Sequence, residues 1–172
     1  MQTREFHVAA AWQEMAENGA DSAHFGFVHG QSIVPSIDSF DIEGPILRMR
    51  STQRWPTPTG DVDGFVEATS YGPGFSVIRM IGIIDTVSIG CNTPVSDGSC
   101  HMRFAFTVKK LGDDAITAMI GDGFIDQLTE QIGGDARIWE HKTFLEHPAL
   151  SSEDGPIMTF RAWAQQFYPA SA

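Results

Sequence analysis

Basic residues are scarce in this chain. Eleven Lys and Arg stand against 22 Asp and Glu, giving a net charge of -11 and a pI of about 4.7. That balance disfavours nucleic acid as a partner, because phosphate contacts need clustered Lys and Arg, and it equally disfavours docking on anionic lipid. No run of about 18 apolar residues occurs, so no transmembrane helix is expected. The opening residues, Met1-Gln2-Thr3-Arg4-Glu5, lack the apolar stretch of a signal peptide, and a cytoplasmic location follows as the expectation. Cysteine is limited to Cys91 and Cys100, which allow at most one disulfide and, in a cytosolic chain, read as buried or idle thiols. Two cysteines cannot build a four-Cys zinc site. Repeats, low-complexity tracts and linker-like stretches are all missing.

What is present is enough for one core. A length of 172 residues fits a single domain spanning 1–172, and 42% hydrophobic residues with 12 Phe, 4 Trp and 7 Met argue against disorder. Four zones can be read. In 6–30, Val8, Ala9, Trp12, Met15 and Ala16 recur at helical spacing, with Gly19 as an interruption. Residues 39–110 alternate apolar and polar positions in pieces (40–55, 64–70, 75–87 and 101–108), separated by Gly and Pro groups such as Pro56-Thr57-Pro58-Thr59-Gly60 and Tyr71-Gly72-Pro73-Gly74. This predicts an antiparallel meander. In 113–145, Ile116, Met119, Ile120, Phe124, Leu128, Ile132 and Ile138 fall at helical intervals. Gly121, Gly123, Gly133 and Gly134 interrupt them, which predicts a broken helix. Asp113 and Asp114 suit its N-terminus. Residues 146–172 are punctuated by Pro, with a short helix expected over 160–167. Helix, sheet, then helix in one domain is an α+β pattern, most naturally a curved sheet gripping a long helix.

The chemistry-bearing stretch is Glu17-Asn18-Gly19-Ala20-Asp21-Ser22-Ala23-His24-Phe25-Gly26-Phe27-Val28-His29-Gly30. On a regular helix, residues five apart are separated by about 140°, so His24 and His29 share a ligand only if the helix ends or bulges between them. Two imidazoles suit Fe, Zn, Cu or Ni; two His with one carboxylate and open positions form the facial triad of Fe(II) oxygenases. Spacing alone leaves open the ordinary alternative of two unrelated histidines, since H-x₄-H is far less specific than H-E-x-x-H. A zinc hydrolase is disfavoured by the same missing pattern.

The string Asn18-x-x-Asp21-x-x-His24-x-x-x-x-His29 resembles the iron-binding motif of Rieske non-haem iron oxygenases, most closely the steroid-acting branch of 3-ketosteroid 9α-hydroxylases and cholesterol 7-desaturases. A second stretch is similar to the C-terminal end of that branch: Asp135-x-x-Ile138-Trp139-Glu140-x-Lys142, Pro148-x-Leu150, Asp154-Gly155-Pro156-Ile157 and Phe160-Arg161-x-Trp163-x-x-Gln166-Phe167-Tyr168. The resemblance implies a helix-grip (START-like) fold and a mononuclear Fe(II) held by His24, His29 and Asp135, with Asp126 as the fallback carboxylate. It makes Asp21 the bridging acid that hydrogen-bonds a ligand histidine and faces the neighbouring Rieske centre, with Asn18 orienting this set or capping the turn. The implied reaction is O₂-dependent hydroxylation or desaturation of a steroid-like substrate in an apolar pocket between sheet and C-terminal helix. Phe25, Phe27, Met80, Phe104 and Met119 are candidates for lining that pocket, although core packing is the ordinary role of such residues. Gly72, Gly74, Gly82 and Gly90 would remove bulk where a ligand lies.

One part of the family pattern is missing. No Cys-x-His and Cys-x-x-His pair is present; Cys100 and His101 are adjacent. The expectation is therefore a [2Fe-2S] cluster supplied by another chain, a Rieske ferredoxin-like or Rieske-domain subunit served by a reductase, within a trimeric homo- or hetero-oligomer; the alternative is that these 172 residues are a domain excised from a longer chain that carries the cluster. The rival is a START-like lipid-binding or regulatory subunit without redox function. His7, His101, His141 and His147 read as surface or structural residues, Lys142 as part of a solvated face, and Asp122, Asp126 and Glu130 as the acidic face of a helix.

Overall fold

A computed structural model of the chain describes residues 1–29, 34–55, 57, 59–151 and 154–169. Gly30, Pro56 and Pro58, which figured in the motif and turn readings, lie outside the described residues. Seven antiparallel strands form one sheet in the order β1-β7-β6-β5-β4-β3-β2. They are β1 (Gln2–Val8), β2 (Ser36–Glu43), β3 (Ile46–Trp55), β4 (Val62–Tyr71), β5 (Phe75–Ile81), β6 (Thr86–Ser96) and β7 (Ser99–Val108). The helices are α1 (Trp12–Glu17), α2 (His24–Phe27), α3 (Asp114–Trp139) and α4 (Ile157–Ala164), with 3₁₀ turns at Asn18–Ala20 and Gln165–Phe167. The α+β architecture and the meander of β2 to β7 match expectation. None of the described helices is long and apolar enough to cross a membrane.

Three sequence readings change. Residues Phe6 to Val8 are not helical; they end β1, which pairs with β7 in the register Phe6↔Met102 and Val8↔Cys100. Val8 points into the core while Glu5 and His7 face out, so a period of two wins over the helical spacing. The 40–55 piece is two strands, turned at Gly44, whose φ of 54° suits glycine, and the 75–87 piece divides into β5 and the start of β6, which runs on to Ser96. The third change is the largest: α3 runs unbroken for 26 residues, with Asp113 as its N-cap accepting from the Ile116 N–H at 2.8 Å. Its glycines do not interrupt it. A Cβ on Gly121 would lie 2.8 Å from Val108 Cγ2, so this glycine lets the helix settle on β7, whereas Gly123 and Gly133 face open space.

Registers place Phe6, Val8, Met102, Phe104, Phe106, Ser88, Gly90, Ile78, Met80, Ala68, Leu47 and Gln53 on one face of the sheet, the face that the helices cover. Two apolar clusters hold the layers together. Val8, Ala10, Met15, Cys100 and Met102 enclose Trp139 at the end of α3. Ala20 and Leu47 meet Ile157, Phe160, Trp163 and Ala164 of α4. Each large buried side chain contributes about 1.5–3 kcal/mol. Together these clusters fix the end of α3 and the turn after α1 against one end of the sheet. Cys91 and Cys100 are both free thiols.

Candidate metal centre

On α3 the buried positions are Gly121, Ile125, Asp135 and Trp139. At about 100° per residue these four span a narrow stripe, so Asp135 is an acid set in the core-facing side of an otherwise apolar stripe. Across from it, α2 lasts only four residues and ends at Phe27, with the Val28 N–H on the His24 carbonyl at 2.7 Å. Because the helix stops there, His29 is free of helical geometry and turns back to the side where His24 points.

His24, His29 and Asp135 therefore converge, with one candidate ligand atom from each lying within 4.8 Å of the others. The imidazole centres are 5.2 Å apart and nearly perpendicular, and His29 Nε2 lies 3.1 Å from Asp135 Oδ1. Donors each about 2.1 Å from one first-row divalent ion sit roughly 3 Å apart when they occupy one face of it, so the set suits such an ion. The His24 and Asp135 residues are 9% and 7% exposed. Asp135 Oδ1 is buried and has no properly oriented hydrogen-bond donor. A buried anionic oxygen in that condition is costly, and a cation would relieve it. The residues present therefore fit a divalent metal.

Neighbouring groups pre-set the ligands. Burial pushes the His24 imidazole below its ordinary pKa, against the opposing pull of Asp135 and the Asp21 carbonyl, so the ring is neutral near pH 7. His24 Nδ1 is in close contact with the Asp21 backbone carbonyl, which puts the proton on Nδ1 and leaves the Nε2 lone pair for a metal. The Asp21 carboxylate accepts the His24 backbone N–H through Oδ1 at 3.3 Å and caps the turn. Asn18 Nδ2 donates to Asp135 Oδ2 at 3.3 Å and lies 3.4 Å from His24 Nε2, so this amide bridges both candidate ligands. Phe25 packs on both imidazoles, at 4.1 and 5.6 Å between ring centres.

Several other expectations are revised. Asp126 is at the surface, paired with Arg4 at 2.8 Å, and takes no part in the cluster. Phe27 and Met119, expected to line a pocket, are 86% and 70% exposed. The sheet glycines free space that protein side chains already occupy: the Trp55 indole lies over Gly82, and Phe104 and Ser76 lie over Gly90. Two open clefts stand away from the sheet–α3 interface, one of about 710 Å³ beside Ser22, Ile37 and Pro156, the other of about 490 Å³ beside Trp12, Pro94 and Tyr168. Lys142 is exposed as expected, yet its ammonium is held by acids. It lies 2.9 Å from Glu14 and 3.0 Å from Glu17, both buried carboxylates. His7 and His101 stack at 4.2 Å on the opposite face of the sheet, far from the cluster in the register.

A curved antiparallel sheet gripping one long helix is the fold of the catalytic domain of Rieske-type oxygenases. The chain belongs, more narrowly, to the family described as the 3-ketosteroid 9α-hydroxylase C-terminal domain, whose model matches residues 1–168. It is 34% identical over 169 residues to the oxygenase component of a 3-ketosteroid-9-alpha-monooxygenase from Rhodococcus rhodochrous, covering 91% of this chain and 45% of that protein. It is 23% identical over 190 residues to cholesterol 7-desaturase of Drosophila melanogaster, covering 98% of this chain and 44% of that one. Among solved structures, dicamba monooxygenase bound to 3,6-dichlorosalicylic acid superposes with a TM-score of 0.72 at 16% identity, covering 96% of this chain and 58% of that one. The chain thus spans under half the length of these curated relatives.

Proposed function

We propose that residues 1–172 form the catalytic unit of a Rieske-type oxygenase that hydroxylates or desaturates a steroid-like polycyclic substrate. The observation that carries the reading is the buried meeting of His24, His29 and Asp135, with one carboxylate oxygen left without a donor. Two imidazoles and one carboxylate would hold a mononuclear Fe(II), which supplies, when bound, the redox centre for O₂-dependent oxidation of the substrate. The protein's part is to fix the tautomer of His24 through the Asp21 carbonyl, to steady Asp135 through Asn18, and to keep bulk water off the ligands by burial.

The substrate class follows the activities of the relatives, one a 3-ketosteroid monooxygenase and one a cholesterol desaturase. The apolar inner face of the sheet opposite α3 is the surface on which a fused-ring molecule would lie. Electrons come from a Rieske [2Fe-2S] cluster outside residues 1–172, fed by a reductase and approaching at Asp21, in a trimeric assembly in the cytoplasm.

The test is ligand selection followed by turnover. Thermal-shift measurements with 3-ketosteroids, sterols, bile acids and small aromatics are expected to favour the steroid set. Incubation with a Rieske donor and reductase is then expected to give a hydroxylated or unsaturated product. Stabilisation by small aromatics alone would move the chain to ring-hydroxylating chemistry, and steroid binding without metal would make it a lipid carrier.

A further inference from the structure

Four ionisable side chains lie together beneath the start of the histidine motif, and the metal cluster does not use them. Glu17 ends α1 and is 4% exposed. Arg161 on α4 grips it with both arms, Nε to Oε2 at 2.6 Å and Nη2 to Oε1 at 3.0 Å. Lys142, just past α3, donates to Glu17 Oε1 at 3.0 Å and stands 2.9 Å from Glu14 Oε2. Arg161 Nη1 is held by the Leu145 carbonyl, and its guanidinium lies 4.5 Å over the Phe144 ring. Two carboxylates and two cations balance, so the group carries no net charge.

Stability is a poor reason for such a group. Burying Glu14, Glu17 and Arg161, and Lys142 in part, offsets most of what their attraction returns, and a buried ion pair is often replaceable by apolar residues without loss of stability. What charged groups with paired, directional hydrogen bonds do supply is a fixed geometry. The geometry at stake is next door. Glu17 leads directly into Asn18, whose amide touches Asp135 and approaches His24. Lys142 follows Asp135 by seven residues, three past the Trp139 end of the helix that carries it. The clamp thus ties the chain entering the histidine motif to the end of the helix that brings the carboxylate, with α4 as the anchor. From this we infer that Glu17 and Arg161 are positioning residues for the metal centre: their two-armed pair sets the separation between the His24–His29 turn and Asp135.

This inference rests on the metal-centre reading, and its test separates the two. The 172-residue chain, stripped of metal, is titrated with Co(II), whose visible spectrum reports ligand geometry, and the melting temperature of the metal-free protein is taken alongside. Arg161→Lys keeps the charge but loses the fork; Glu17→Met with Arg161→Met removes one charge of each sign and leaves Lys142 paired with Glu14. The double variant is expected to melt close to wild type yet bind Co(II) about 10- to 100-fold more weakly, the usual cost of losing groups that orient ligands, with an altered spectrum. Arg161→Lys is expected to fall between. Wild-type affinity and spectrum in the double variant would overturn the inference and leave the clamp a packing feature. Loss of Co(II) binding only in proportion to unfolding would overturn it too. No Co(II) bound by wild type would instead sink the metal-centre reading, and the positioning role with it.

Discussion

Replacing Gly123 with alanine is expected to stabilise the protein, while the same change at Gly121, two residues earlier, is not. Both glycines lie in the interior of α3, where glycine costs up to about 1 kcal/mol relative to alanine. At Gly123 an added methyl meets nothing within 4 Å, so the gain is undiminished. For a chain of this size about 1 kcal/mol corresponds to roughly 2–4 °C in melting temperature. At Gly121 the methyl would come within 2.8 Å of Val108 Cγ2 and 3.5 Å of Cγ1. Valine is stiff about χ1, so α3 must lift from β7 or Val108 must leave its rotamer. Overpacking of that kind costs about 1–3 kcal/mol and cancels or reverses the helix-propensity gain. Urea denaturation of both variants, read by circular dichroism, gives the comparison directly. A destabilised Gly123→Ala with an unchanged slope would mean that the helix is interrupted there, refuting the continuous α3 and its delivery of Asp135 to the cluster.

Two further outcomes follow from the same geometry. Gly155 has φ of 73°, and a Cβ on it would fall 2.4 Å from the Ala20 carbonyl; Gly155→Ala is expected to cost more than about 2 kcal/mol from left-handed strain and the clash combined, seen as a fall in melting temperature. At Glu17, burial raises the carboxyl pKa, but hydrogen bonds from Arg161 and Lys142 outweigh it and hold it below the ordinary 4.5. A depressed folded-state pKa gives stability that is present above the unfolded value and lost as pH falls through the folded one. Melting temperature is therefore expected to drop below pH 4.5 more steeply in wild type than in Glu17→Gln, and parallel curves would contradict the pairing.

Much of this was legible in the residues, for identifiable reasons. The meander of β2 to β7 shows because alternation and Gly/Pro punctuation are local signals. β1 did not show: its inward residues include Gln2 and Arg4, which reach Asp122 and Asp126 on α3 instead of an apolar core, so the alternation is chemically disguised. The glycines of α3 suggested breaks, but one of them is a close-packing device and two face open space, a distinction that exists only in three dimensions. His24 and His29 stand out by proximity, and Asp135 by family resemblance. Its place in the stripe with Gly121, Ile125 and Trp139 is a physical signal that the helical period itself could have supplied. The clamp was invisible, since Glu17 is 125 residues from Lys142 and 144 from Arg161, and no local pattern links them.

The most direct test of the central claim is metal stoichiometry after anaerobic loading with Fe(II). One iron per chain is predicted for the wild-type protein, with loss of most of that iron in each of His24→Ala, His29→Ala and Asp135→Ala while Asp126→Ala keeps it. A wild-type chain that takes up no iron, or an Asp135→Ala variant that still holds one iron per chain, would contradict the account.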